Sequence, residues 1–120
     1  AKLRQHTDRP IIIRDKGLRR ERVGAGSLFS QLDQDNVYAV VTYQSIAAIE
    51  SVCYGVPAFA TAPTAADYVT LKDLGRIEQA YRPNADQVRH WLHWLAYCQY
   101  TVPELNDGTA LKIIEMYNLK

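Results

Sequence analysis

Apolar positions in this chain follow two rhythms, and their alternation predicts the elements. Residues 10–13 (Pro-Ile-Ile-Ile) form a β-branched run that ends in the charged Arg14-Asp15-Lys16-Gly17, which reads as a buried strand feeding a loop. Ser27 stands as the cap of a short helix carrying Leu28, Phe29 and Leu32. Residues 37–41 are apolar throughout, as in a parallel strand covered on both faces. Thr42-Tyr43-Gln44-Ser45 is the turn after it. Residues 46–54 read as a helix with Ile46, Ile49 and Cys53 on one stripe, stopped by Gly55 with Pro57 just beyond. Residues 58–61 are a third short strand.

The second half reads as more helical. A polar loop over 62–76 contains one helix at 66–74, and 77–81 is a short strand or a connector. Asn84 with Gln87 resembles a capping box, and Val88, Trp91, Leu92 and Leu95 then keep the helical period for about four turns. Thr101-Val102-Pro103 breaks that helix, and residues 110–117 form a last amphipathic one. There is no internal repeat and no linker. Strands alternating with helices predict a parallel sheet in an α/β sandwich, with the carboxyl ends of its three strands opening on one crevice.

Composition narrows the class. At 120 residues and 48% hydrophobic the chain suits one domain, residues 1–120, with an ordinary core. Six Gly and five Pro exclude a collagen-like or low-complexity chain, and no apolar run approaches a membrane span. The net charge of +1 argues against a nucleic-acid binder. Charge is uneven, however. Eight Lys/Arg face three acidic residues in 1–24, and the remaining six face ten. A basic front suggests an anionic ligand near the start, or a solvated loop. Cys53 and Cys98 lie in apolar stretches, which predicts two buried, reduced thiols in a cytoplasmic protein. The chain opens at Ala1 within a charged stretch, and it is expected to be a piece of something longer.

The candidate chemistry gathers after the strands, in the loops 14–17, 42–45 and 61–65. A strand that turns directly into a helix aims free backbone N–H groups and the positive helix end at the sheet's edge. Phosphate would be held there by those groups and by the Thr42 and Ser45 hydroxyls, unless Ser45 only caps its helix. Glu50 sits on an otherwise apolar helix segment, where a carboxylate needs ligand hydroxyls, a basic partner or plain exposure. Gly24-Ala25-Gly26 lacks the third Gly of a dinucleotide fingerprint and reads as a flexible turn. His90 and His93 have i,i+3 spacing but read as surface residues, so no metal is expected. Trp91, Trp94 and Tyr97 read as core or as a docking face, and Tyr43 and Tyr54 as packing.

Glu50-Ser51-Val52-Cys53-Tyr54-Gly55-Val56-Pro57, followed by the apolar strand, resembles the E-(A/S)-x-x-x-G-x-P signature of GT-B glycosyltransferases. The strand and turn before it, and the Ile-Ile-Ile strand with its basic loop, are similar in order to that fold's nucleotide-sugar-binding half. The closest flavour is the capsule-polysaccharide and sialyl- or Kdo-transferase type. The resemblance spans residues 10–62, and 84–117 in architecture only. It implies a Rossmann-like three-layer sandwich with a parallel sheet, half of a two-domain enzyme. Glu50 would accept hydrogen bonds from the donor's ribose. Thr42, Gln44 and Ser45 would hold its phosphates. Arg14 and Lys16 would neutralise charge on the leaving nucleotide. Gly55 and Pro57 would be structural.

The same resemblance implies no permanently bound cofactor, a nucleotide sugar as donor substrate, and an N-terminal half or partner chain that supplies the catalytic base. No catalytic residue is assigned within this chain. Many retaining members carry a second Glu eight residues earlier, where this sequence has Thr42. Two alternatives stand beside this reading: a non-catalytic α/β assembly or regulatory module with a vestigial site, and a sugar-nucleotide epimerase of the same fold.

Overall fold

A computed structural model describes residues 2–15 and 27–117. The expected turn at 24–26 lies outside the described residues. The chain is a mixed α/β protein, close to half helical, that divides into two compact units, Ala1–Val88 and Arg89–Lys120.

The first unit is built on a parallel strand–helix–strand. Strand β1 (Val40–Thr42) pairs with β2 (Ala58–Ala60) in the register Val40 with Ala58, Val41 with Phe59 and Thr42 with Ala60. Leu71 adds a single parallel bridge to Phe59 on the far edge of β2. Its carbonyl accepts from the Ala60 N–H at 2.9 Å, and its N–H donates to the Ala58 carbonyl at 3.2 Å. Parallel strands cannot be joined by a hairpin. Helix α2 (Ala47–Tyr54) makes the crossover and packs on both strands, and α1 (Leu28–Gln34) packs on α2.

Local chemistry sets the ends of these helices. Ser27 caps α1 as expected, its Oγ accepting from the Ser30 N–H at 3.2 Å. Gly55 ends α2 with φ +91°, its N–H returning to the Val52 carbonyl at 3.0 Å. Ser51, wholly buried, donates its Oγ–H to the Val56 carbonyl at 2.9 Å, while the Val56 N–H returns to the Ser51 carbonyl at 3.0 Å. The chain is thereby aimed back into β2.

The face of α2 that is buried is not the expected one. The buried face is Ala48, Ser51 and Val52, while Ile46, 67% exposed, and Cys53 turn outward. Both cysteines are exposed and unpaired, which corrects the expectation of two buried thiols.

Residues 10–13 are also corrected. They form no strand and pair with none among the described residues, and Ile12 and Ile13 are 60% and 83% exposed. β-branched residues favour a pleated, half-buried surface only where a ladder is offered. Here side chains hold the flanks instead. Arg9 bonds Glu78 at 3.1 Å and lies 3.8 Å over the Tyr38 ring, and Thr7 donates its hydroxyl to Glu78. Arg14 donates to Gln31 Oε1 at 3.0 Å. The described sheet therefore has two strands and one bridge, not three central strands. The strand expected at 37–41 is confined to Val40–Thr42, because pairing starts where the Val40 N–H meets the Pro57 carbonyl at 2.9 Å.

The helix expected at 66–74 is instead two 3-10 segments, Asp67–Val69 and Leu74–Gln79, the second of which takes up most of 77–81. Thr70 donates its hydroxyl back to the Ala66 carbonyl at 3.0 Å, and Asp73 caps Gly75 at 2.9 Å, so the turns close locally.

Helix α3 (Ala85–Tyr97) begins with the expected reciprocal box. Gln87 N–H donates to Asn84 Oδ1 at 2.8 Å, and Asn84 N–H to Gln87 Oε1 at 3.0 Å. In the second unit Trp91 and Ala110 are buried, while Trp94 and Tyr97 are 57% and 82% exposed, so the aromatic cluster does not form one core. Residues 101–103 open a further helix, α4 (Val102–Asn106), through a Thr101–Glu104 capping box. It packs on α5 (Thr109–Tyr117). No helix among the described residues is long and apolar enough to cross a membrane.

Gly55 yields a direct test. A Cβ there would meet nothing within 4 Å, so the cost of a side chain lies in the left-handed backbone alone. Gly55→Ala is expected to lower stability by about 1–2 kcal/mol in urea denaturation, and Gly55→Asn by less.

Candidate functional site

The crossover puts the amino end of α2 beside the carboxyl end of β1. A groove of about 1260 Å³ opens there in the first unit, lined by Arg14, Thr42, Gln44, Ser45 and Glu50 among others. Five of the six residues singled out from the sequence thus share one groove. Lys16 lies outside the described residues. Residues 61–65, expected as a third wall, do not line it.

The turn between β1 and α2 is held by its own side chains. Ser45 Oγ accepts from the Ala47 N–H at 3.2 Å, and the Ser45 carbonyl accepts from Ala48 at 3.2 Å. Ser45 therefore does hold the helix start, and its hydroxyl keeps a proton to donate. The backbone N–H groups of Gln44, Ser45 and Ile46 donate to no described residue. The Gln44 carboxamide is engaged differently from the expectation: its Nε2 donates to the Pro63 carbonyl at 2.9 Å and ties this turn to the loop after β2. Arg14, which also lines the groove, is exposed and bonded to Gln31.

Glu50 projects from the first turn of α2 and is half-buried, and its carboxylate has no hydrogen bond or ion pair among the described residues. Of the three fates open to it, a basic partner within the described fold is removed. Its charge is felt by Cys53, whose thiol is pushed up, first by partial burial and then by Glu50. Tyr54 is spent on packing: its hydroxyl donates to Asp33 at 2.8 Å and its ring meets Phe29 at 5.9 Å between centroids. Tyr43 is 73% exposed. Among the described residues, no group of three or more His, Cys, Asp or Glu could hold a metal ion.

Scans of protein-family models, curated proteins and solved structures find no match to this chain. Function has to be read from the groove itself.

Gln31, which carries Arg14, leaves no trace in the sequence pattern, because nothing local marks a helix glutamine as a partner 17 residues away. The support behind Gln44 is equally unmarked. Asp67 Oδ1 accepts from Lys72 Nζ at 2.8 Å and from the Thr64 N–H at 3.0 Å. The Lys72 bond, then the Thr64 bond, holds the Asp67 carboxyl below the usual aspartate range. A depressed carboxyl pKa contributes stability above the unfolded value that is lost as pH falls through the folded one. Lys72→Met is expected to raise the Asp67 pKa toward the ordinary value, so that less stability is lost to acid and the loss is complete at a higher pH. Carboxyl-carbon NMR titration of both proteins checks it, and an unmoved Asp67 titration contradicts the pairing.

Proposed function

We propose that this chain is the donor-binding part of a GT-B-type glycosyltransferase, with the Rossmann-like sheet completed beyond the strands described above. The observation that carries the reading is one groove that combines, at the start of α2, backbone N–H groups with no partner among the described residues and, one turn further on, the Glu50 carboxylate, likewise without a partner among them. The N–H groups and the Ser45 hydroxyl suit a phosphate, since donors and helix dipole act together. Glu50 suits vicinal hydroxyls, which satisfy a carboxylate without adding charge. Arg14 supplies positive charge from the groove's lining, and Lys16 follows it in the chain. Nothing in the groove is assigned as catalytic base. In this reading another domain or chain supplies it, and the chain alone binds donor without transferring sugar.

Nucleoside diphosphates are expected to raise the melting temperature, and the corresponding nucleosides to do so less. Equal stabilisation by both refutes phosphate anchoring. Glu50→Gln should weaken diphosphate binding about ten- to a hundredfold, through loss of charge-assisted bonds worth about 1.5–3 kcal/mol. Its stability should stay within about 0.5 kcal/mol of the parent, because no ion pair is broken. A large stability loss with unchanged affinity would make Glu50 a scaffold residue.

A further inference from the structure

We infer that Lys72, which does not line the groove, is a positioning residue for the turn that does, acting through the loop after β2; for ligand binding this rests on the phosphate reading above. Lys72 Nζ donates to the Ala62 carbonyl at 3.1 Å and to Asp67 Oδ1 at 2.8 Å. The Thr64 N–H donates to the same carboxylate oxygen at 3.0 Å. Residues 62 and 64 are thereby fixed on either side of Pro63, and the Pro63 carbonyl receives the Gln44 carboxamide at 2.9 Å. Two backbone bonds run beside it, Thr61 N–H to Thr42 carbonyl at 3.1 Å and Ala62 N–H to Tyr43 carbonyl at 2.9 Å.

The β1–β2 pairing thus continues past both strands as far as Gln44. There begin the three N–H groups that donate to no described residue. Their usefulness to an anion depends on a common direction, and a turn without regular structure keeps that direction only if its neighbours hold it. The Lys72–Asp67 pair is exposed and worth little to global stability. Removing it should loosen the loop without unfolding the chain.

The experiment compares the full chain with Lys72→Met, Gln44→Met, the double variant and Lys72→Arg. The first readout needs no ligand: amide chemical shifts and hydrogen exchange at Gln44, Ser45 and Ile46. Both single variants should shift these signals and speed exchange, and Lys72→Arg should restore them. The second readout is affinity for inorganic pyrophosphate. Each single variant should lose about three- to tenfold. The double variant should lose little more than either, because both act through one loop. The ionic-strength dependence should not change with Lys72→Met, since no contacting charge is removed. Unchanged amides at residues 44–46, or fully additive losses, overturn the positioning role. If the amides shift but pyrophosphate fails to bind the parent chain, the phosphate reading falls and the positioning of the turn stands.

Discussion

Everything at the groove depends on the strands being parallel. A chain that leaves β1 must travel the full length of the sheet before it can re-enter beside it, and α2 is that return path. The amino end of α2 consequently lies at the carboxyl end of β1, where the backbone has just run out of ladder partners. No residue in the turn had to be chosen for this to happen. The selective residues lie further along: Ala48, Ser51 and Val52 let the helix settle on the sheet, and Gly55 turns the chain back within one residue.

Ala48, Ser51 and Val52 face inward, which leaves α2 an outward face. Ile46 and Glu50 line the groove, and Cys53 lies outward beyond them. Among the described residues no donor meets the half-buried Glu50 carboxylate, and a carboxylate drawn from water without a donor costs free energy. Such a cost persists most readily where something outside the fold recovers it.

Features written in neighbouring residues are legible in the sequence. The Ser27 cap, the Asn84–Gln87 box and the Gly55 stop are each decided within a few positions, and all three stand in the structure. The Thr101–Glu104 box carries the same kind of signal, but Pro103 beside it reads as a breaker, although proline is tolerated in a helix's first turn. Features that require a distant partner are not legible. Three isoleucines at 11–13 announce a strand, but only a neighbouring edge makes one. Leu71 does pair, without any periodicity to mark it. The buried face of α2 is hidden for the same reason. The site is more legible than the sheet because its residues flank a single strand–turn–helix, and topology gathers them whichever other strands form.

The spacing within α2 narrows what the groove can recognise. Glu50 lies about 5 Å along the axis from Ala47. An anion at the start of the helix would meet donors and dipole there, yet it would also feel the Glu50 charge nearby. A bare anion therefore gains nothing from Glu50 and is opposed by it. A neutral polyol could satisfy Glu50 but would leave the N–H groups of Gln44, Ser45 and Ile46 to water. On the proposed donor reading, a ligand with a charged end and a hydroxylated remainder would satisfy both, with Arg14 in the same lining supplying positive charge. On that reading the arrangement would favour a mixed ligand over either part alone, as selectivity built from polar groups requires.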